Sequence, residues 1–295
     1  MNETKSRIGY IGIGLMGGPM ALRLVAAGYE VAVWGRNPGK VQPVVDAGAR
    51  WAESAAEVAR ASDIIFTCVS DTQAVEAVVF RAGGIAEGGT ADKLLVDMSS
   101  MRPDAAVEMA SRLADQTGGM GWLDAPVSGG VIGAETGQLV VMCGGSQADF
   151  DRAAPVIGHL AQRATLMGPT GAGQITKLIN QLLVGCTVTL VAEATRLALE
   201  AGVDVAKIPP ALAGGRADSR PLQEWMVRMA TGDETVESHL RTMLKDLETV
   251  LDLGRTAEAP LPMTELAAGI HRTLADRGLA EADGTAVFRY YDKNE

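Results

Sequence analysis

The chain has 295 residues, 47% hydrophobic, 21% charged and only 4% aromatic. That length holds two ordinary domains, and that balance excludes a disordered or fibrous chain; the core must be built from Ala, Val, Leu, Ile and Met. A net charge of −10 excludes the basic surface that nucleic acid requires, and three dispersed cysteines, Cys68, Cys143 and Cys186, suggest neither a disulfide framework nor a metal site.

His159, His239 and His271 are also dispersed, without the spacing of a metal site. Met1–Arg7 is polar and lacks the apolar core of a secretory leader. The longest apolar stretch, Leu182–Ala192, is interrupted by Gly185 and is shorter than the roughly 20 residues of a bilayer span. A cytoplasmic protein without membrane or nucleic-acid partners is expected.

Along the first half, short apolar runs predict strands at Ile8–Ile11, Glu30–Trp34, Ile64–Val69, Leu94–Asp97, Gly121–Asp124 and Leu139–Cys143. Helical patterns fall near Gly17–Ala27, Lys40–Ala47, Thr72–Val79 and Pro103–Gln116. Strand and helix in alternation predict an α/β fold with a Rossmann-type, doubly wound parallel sheet. From Gly173 to Ala201 a single helix is predicted, apolar on most faces and therefore buried. Helical patterns continue at Val236–Leu253, Pro262–Arg277 and Thr285–Tyr291. The expected division is a dinucleotide-binding domain at 1–166 and an all-helical substrate and dimerisation domain at 167–295, the long helix joining them. So apolar a helix in a small helical domain predicts association into a homodimer or homotetramer.

The first strand runs into Gly12-Ile13-Gly14-Leu15-Met16-Gly17, a G-x-G-x-x-G turn that then opens a helix. Gly12 permits the tight turn, Gly14 lets the backbone approach a pyrophosphate, and Gly17 lets helix pack on strand. The helix N-terminus presents unpaired N–H groups to the phosphates. After the second strand stands Gly35-Arg36-Asn37-Pro38, with no acid to hold a ribose 2′-hydroxyl. Arg36 suits a 2′-phosphate and Asn37 adds a hydrogen bond, which favours NADP, with NAD the alternative. The competing reading of Arg36 is a surface arginine in a turn, stacking on adenine.

Asp124-Ala125-Pro126-Val127-Ser128-Gly129-Gly130 follows a predicted strand. Ser128, Gly129 and Gly130 can present a hydroxyl and backbone N–H groups to a carboxylate, although the bare string is also an ordinary loop. Gly168-Pro169-Thr170-Gly171-Ala172-Gly173-Gln174-Ile175-Thr176-Lys177-Leu178-Ile179-Asn180 opens the long helix, with Lys177 and Asn180 on one face. A lysine in an apolar helix needs a reason: as a desolvated proton donor and acceptor it serves a carbonyl undergoing hydride transfer; otherwise it snorkels from the first turns. Lys245-Asp246 reads as a second pocket pair or as a solvated salt bridge.

These segments, in this order, resemble the β-hydroxyacid dehydrogenases over essentially the whole chain. That family includes 3-hydroxyisobutyrate dehydrogenases, tartronate semialdehyde (2-hydroxy-3-oxopropionate) reductases and the glyoxylate/succinic semialdehyde reductases. Arg36-Asn37-Pro38, Gly214-Gly215-Arg216-Ala217-Asp218-Ser219, Leu261-Pro262-Met263-Thr264 and Tyr290-Tyr291 are most similar to the tartronate semialdehyde reductases. The resemblance implies hydride transfer between NAD(P)H and a small semialdehyde or 3-hydroxy acid, with 2-hydroxy-3-oxopropionate the first expectation. 3-Hydroxyisobutyrate, threonate and 4-hydroxybutyrate are the alternatives. It implies that Lys177 is the general acid/base and that Asn180 orients it and the substrate. Ser128, Gly129 and Gly130 anchor the carboxylate, Lys245 reaches coenzyme or substrate, and Asp246 supports the pocket. Leu15 and Met16 in the glycine turn, then Val69-Ser70-Asp71 and Ser99-Ser100-Met101, are the implied coenzyme segments. Ser100-Met101 stands where the family commonly has Thr-Ile, so Ser100 keeps the hydroxyl while Met101 is expected to reshape the pocket. NADP-type members carry Asn-Arg-Thr where this chain has Gly35-Arg36-Asn37. Imine reductases share the two-domain plan without a lysine at this position. A non-catalytic dinucleotide sensor has no need of Lys177.

Overall fold

The computed structural model describes residues 5–292. The chain forms two compact units, residues 1–177 and 178–295.

The first unit is organised by strands buried on both faces, which explains why they read as uninterrupted apolar runs. In chain order its elements are β1 (Ile8–Ile11), α1 (Gly17–Ala26), β2 (Val31–Trp34), α2 (Pro38–Asp46), β3 (Arg50–Trp51), α3 (Ala55–Ala61), β4 (Ile64–Thr67), α4 (Thr72–Phe80), β5 (Leu94–Asp97), α5 (Pro103–Thr117), β6 (Gly121–Asp124), β7 (Val127–Ser128), α6 (Gly130–Thr136), β8 (Leu139–Gly144), α7 (Gln147–Ile157) and β9 (Ala161–Gly168). The sheet order is β3-β2-β1-β4-β5-β6-β8-β7, with β9 beside β8. From β3 through β6 the pairing is parallel, and the order reverses between β1 and β4. That reversal opens the crevice at the strands' carboxyl ends where such sheets bind ligands. One apolar cluster, including Ile8, Met20, Phe66 and Leu123, fills one face, and another, including Val58, Ile65, Leu95 and Trp122, the other.

The parallel arrangement ends at β8, which runs antiparallel to β6 and β7. After β6 the chain turns back through the two residues of β7 and the 7-residue α6, too little helix to cover the sheet in a full crossover. Strand β9 escapes the sequence pattern because its burial alternates and Gln162 and Arg163 interrupt its apolar residues. The short α3 and α7 carry local caps instead of strong periodicity: Ser54 accepts the Glu57 N–H and Ser146 the Asp149 N–H.

Helix α8 runs from Ala172 to Glu200, so its first turns belong to the first unit and the rest to the second. The second unit continues with α9 (Ile208–Leu212), α10 (Arg220–Thr231), α11 (Leu240–Thr256), α12 (Pro262–Leu274) and a 3₁₀ segment at Gly284–Tyr291. Its core joins Val188, Val191 and Ala192 of α8 to Met226, Leu240, Ile270 and Val287. Helix α11 begins at Leu240, four residues later than its periodicity suggests. Buried Asp283 accepts the backbone N–H groups of Glu237 and Ser238, holding that stretch extended, and pairs with Arg228. The expectation that α8 is buried on most faces is corrected: Ile179, Leu183, Leu190 and Leu197 are 52%, 60%, 52% and 69% exposed. By length and composition α8 is long and apolar enough to cross a membrane. Its Val188, Ala192 and Thr195 are nonetheless buried inside the second unit.

Candidate active site

The glycine turn follows β1 and lines a cavity of about 450 Å³ in the first unit, formed by Gly12 to Gly17, Trp34 to Asn37, Lys40 and Cys68 to Ser70. Gly12 has φ +97°, and a Cβ there would lie 2.2 Å from the Cys68 carbonyl oxygen. A Cβ on Gly17 would lie 2.0 Å from the Gly12 carbonyl, so the helix can close on the strand only through glycine. A Cβ on Gly14 would meet nothing within 4 Å, so that backbone stands open to a ligand. This pattern of one strained glycine, one packed and one exposed suits a dinucleotide pyrophosphate.

At the β2 end of the cavity Arg36, Asn37 and Lys40 are all exposed. Asn37 uses its side-chain oxygen to accept the Gly39 N–H and so caps α2. Lys40, one turn into α2, adds a second cation beside Arg36; sequence reading passed over it because a lysine in a first helical turn carries no pattern. Val69 and Ser70 line the same cavity, and Ser70 hydrogen-bonds Asp71, the cap of α4.

The loop after β5 behaves differently from its neighbour. Buried Ser99 accepts the Val69 N–H at 2.9 Å, joining the two loops. Ser100 is half-buried and does not line the glycine-turn cavity. Met101, expected to reshape the pocket, is 4% exposed and packs into the core beside Ala106 and Met109. Beneath this loop Asp97 is fully buried; it accepts the Thr67 hydroxyl at 2.7 Å and the Ser99 N–H at 3.2 Å, and burial pushes its carboxyl up to about 6.

Ser128 lies on β7, paired with Val140 of β8. Gly129 and Gly130 follow with φ +130° and +63°, conformations that favour glycine, and the space a Gly130 Cβ would occupy is open. Asp124, four residues before Ser128, turns away from solvent altogether. Its carboxylate accepts the Gly171 N–H at 2.7 Å and the Gln174 N–H at 3.0 Å, at the start of α8. Burial pushes this carboxyl up, opposed by those N–H groups. Gln174 is 1% exposed; its oxygen accepts the Met101 N–H at 3.1 Å and its amide donates to the Ser99 carbonyl at 2.8 Å. Lys177, one turn further, is half-buried. Within the first unit these bonds join the loops after β4 and β5, and the end of β6, to the start of the helix that carries Lys177.

In the second unit Asn180 donates to the Gln181 side chain at 2.8 Å, and Gln181 donates to Asp246 at 2.5 Å. Asp246 is 6% exposed and pairs with the Lys245 ammonium at 3.2 Å. Gln181, which joins these predicted residues, was not singled out. Asp97 and Asp124 could have been: each is an acid ending a buried strand at the edge where such sheets bind ligands. Among the described residues no cluster of His, Cys, Asp and Glu could hold a metal ion.

A glycine-turn cavity at the sheet's switch point marks a dinucleotide-binding protein. Comparison with known proteins narrows this. Residues 7–168 match the NAD-binding domain of 6-phosphogluconate dehydrogenase, and residues 171–291 match the NAD-binding domain of NADP-dependent 3-hydroxyisobutyrate dehydrogenase. The chain is 35% identical to 2-(hydroxymethyl)glutarate dehydrogenase of Eubacterium barkeri, over 99% of this chain and 96% of that one. It is 37% identical to 2-hydroxy-3-oxopropionate reductase of Escherichia coli, over 95% of each. Among solved structures, 3-hydroxyisobutyrate dehydrogenase from Salmonella typhimurium superposes with a TM-score of 0.87 at 29% identity, covering 97% of this chain and all of that one. The chain belongs to the 3-hydroxyisobutyrate dehydrogenase-like family and is an NAD(P)-dependent hydroxyacid dehydrogenase. Its Rossmann-type first domain and helical second domain are those of that family.

Proposed function

We propose that the chain reduces 2-hydroxy-3-oxopropionate, or oxidises the corresponding 3-hydroxy acid, with NADP preferred over NAD. The reading is supported by the relatives' substrates, as their names give them. 2-(Hydroxymethyl)glutarate, 3-hydroxyisobutyrate and the product of 2-hydroxy-3-oxopropionate reduction share a primary alcohol one carbon from the carbon bearing the carboxylate. They differ in the substituent on that middle carbon: a carboxyethyl arm, a methyl or a hydroxyl. Oxidation of 3-hydroxyisobutyrate, threonate or 4-hydroxybutyrate is the alternative within the same chemistry.

Ser128, Gly129 and Gly130 anchor the substrate carboxylate through the Ser128 hydroxyl and open backbone. Gly12 to Gly17 hold the pyrophosphate, while Arg36, Asn37 and Lys40 surround the adenosine ribose. Two cations and no acid at that position favour a 2′-phosphate over a 2′-hydroxyl. The bound nicotinamide supplies or takes up the hydride. Lys177 donates a proton to the carbonyl oxygen during reduction and takes it back during oxidation. Asn180 orients the substrate, Lys245 adds positive charge for coenzyme or carboxylate, and Asp246 holds Lys245 in place. Copies of the chain associate as a homodimer or homotetramer through the exposed stripe of α8, in the cytoplasm and without nucleic acid or membrane.

The observation that carries this reading is the grip of Gln174 on Ser99 and Met101, one turn before Lys177. It is tested by Lys177→Met with a panel of semialdehydes and 3-hydroxy acids. Turnover should fall by about 10²–10⁴, the usual loss on removing a general acid, with NADPH affinity nearly intact. Unchanged turnover removes Lys177 from the mechanism, and a panel won by a different acid reassigns the substrate.

A further inference from the structure

We infer that Asp124 and Gln174 form a buried lock that sets the rotation of the first turns of α8, making both positioning residues for proton transfer by Lys177. The inference rests on the role given to Lys177 above.

Asp124 is 0% exposed, and a buried carboxylate is costly unless something compensates its charge. Its compensation comes from backbone N–H groups at the start of α8, one on each oxygen. The surrounding backbone is cut to fit it. A Cβ on Gly144 would lie 2.7 Å from one carboxylate oxygen, and a Cβ on Gly173 2.7 Å from the other and 2.4 Å from the Met142 carbonyl. Other helices of this chain are capped by the residue just before them, as Ser54, Asp71, Ser146 and Ser219 do. The Asp124 contacts reach across 47 and 50 residues of sequence. A local cap stabilises a helix; a cap from the end of β6 also fixes where that helix points.

Gln174 supplies the second point of attachment. Its amide both accepts from Met101 and donates to Ser99, and Ser99 in turn accepts the Val69 N–H of the cavity wall. Two contacts at different heights on one turn prevent the helix from rotating about its axis. Gln174 and Lys177 are three residues apart and share a face. A rotation of about 20° would carry atoms at the helix surface, about 6 Å from its axis, through about 2 Å. Displacements of about 1 Å are worth about 10² in rate when they misalign a reacting group.

Gln174→Glu tests this with its own internal control. The ionised carboxylate can still accept from Met101 but repels the Ser99 carbonyl; protonated, it can donate again. At about pH 8 kcat should fall at least about tenfold, with KM and the NADPH dissociation constant changed less than about twofold. As pH falls, kcat relative to wild type should recover. In the apo protein the protection factor of the Met101 amide, taken against its intrinsic exchange rate at each pH, should be lower than in wild type at the higher pH, as repulsion from the Ser99 carbonyl loosens the contact. It should recover as pH falls. Asp124→Asn, which keeps one acceptor oxygen and sets an NH2 against the other amide, should release one of the Gly171 and Gln174 amides to exchange and lower kcat at all pH values. Should it fail to fold, Gln174→Glu decides alone. A Gln174→Glu kcat that tracks wild type at every pH overturns the lock, as does a loss matched by an equal loss of folded protein or of NADPH binding. Lys177→Met separates the two readings. If it is active, the role of Lys177 falls; if it is inactive while Gln174→Glu behaves as wild type, only the lock falls.

Discussion

Asp97 carries a pH dependence that can be isolated by one substitution. It is fully buried beneath the loop after β5, with one oxygen accepting from Thr67 and Ser99 and the other without a hydrogen-bond partner among the described residues. Burial raises its carboxyl from the ordinary 3.8 to about 6. The folded state therefore binds this proton more tightly than the unfolded state does. The resulting stability is complete below the unfolded value and is lost as pH rises through the folded one. A difference of this size is worth about 3 kcal/mol in full, of which about 2 kcal/mol disappears between about pH 4.5 and about pH 7.5. If residues 1–177 melt as a unit, their unfolding entropy of about 0.4 kcal/mol/K turns that loss into about 5 °C. Asp97→Asn keeps an oxygen for Thr67 and Ser99 but does not titrate. Wild type and variant melted in parallel by calorimetry should differ in slope: the wild-type Tm falls by about 5 °C relative to the variant over that window. A constant offset between the two curves would refute the reasoning, whatever its size.

The Arg36→Ala, Lys40→Ala double variant should weaken NADPH binding by about 10- to 100-fold in a fluorescence titration and leave NADH nearly unchanged, since charge-assisted contacts to phosphate are worth about 1.5–3 kcal/mol. Equal losses for both coenzymes would remove the preference for NADP. Gly17→Ala puts a methyl 2.0 Å from the Gly12 carbonyl and should abolish coenzyme binding or lower Tm sharply, whereas Gly14→Ala, with no protein atom within 4 Å, should weaken the coenzyme and spare Tm. If copies associate through α8 as proposed, wild type should scatter as a dimer or tetramer and Leu183→Glu with Leu197→Glu as a monomer; equal masses would remove α8 as the interface.

Most of the Rossmann unit was legible because its information is local. Strands β1, β4, β5 and β6 are runs of buried residues, and the glycine turn compresses turn, approach and packing into six positions. What escaped depends on distant partners. Strand β9 is an edge with a polar interior stretch, and the direction of β8 is decided by the short return through β7 and α6. The long helix misled for a related reason: apolar residues around its whole circumference predict burial, but a single chain covers only part of them. Composition shows that a helix is apolar, not which of its residues the rest of the chain covers.

The site divides along the same line. Lys177 stands out in the sequence because an ammonium in an apolar helix is anomalous by itself, and Ser128 because glycines follow it. Asp124 is visible in the sequence only as an acid ending an apolar strand, and Gln174 only as an amide near a helix start; their partners become evident once burial is known. Of the motif Asp124–Gly130 only Ser128, Gly129 and Gly130 read as substrate-binding; Asp124, its first residue, is buried in the protein, while Gly130, its last, is exposed. The strand end thus carries two kinds of residue four positions apart: one that holds the helix bearing Lys177, and others suited to the molecule that lysine would protonate. On the proposed roles, sharing one short segment would keep Lys177 and the Ser128 segment in fixed register, because a shift of Asp124 would move both.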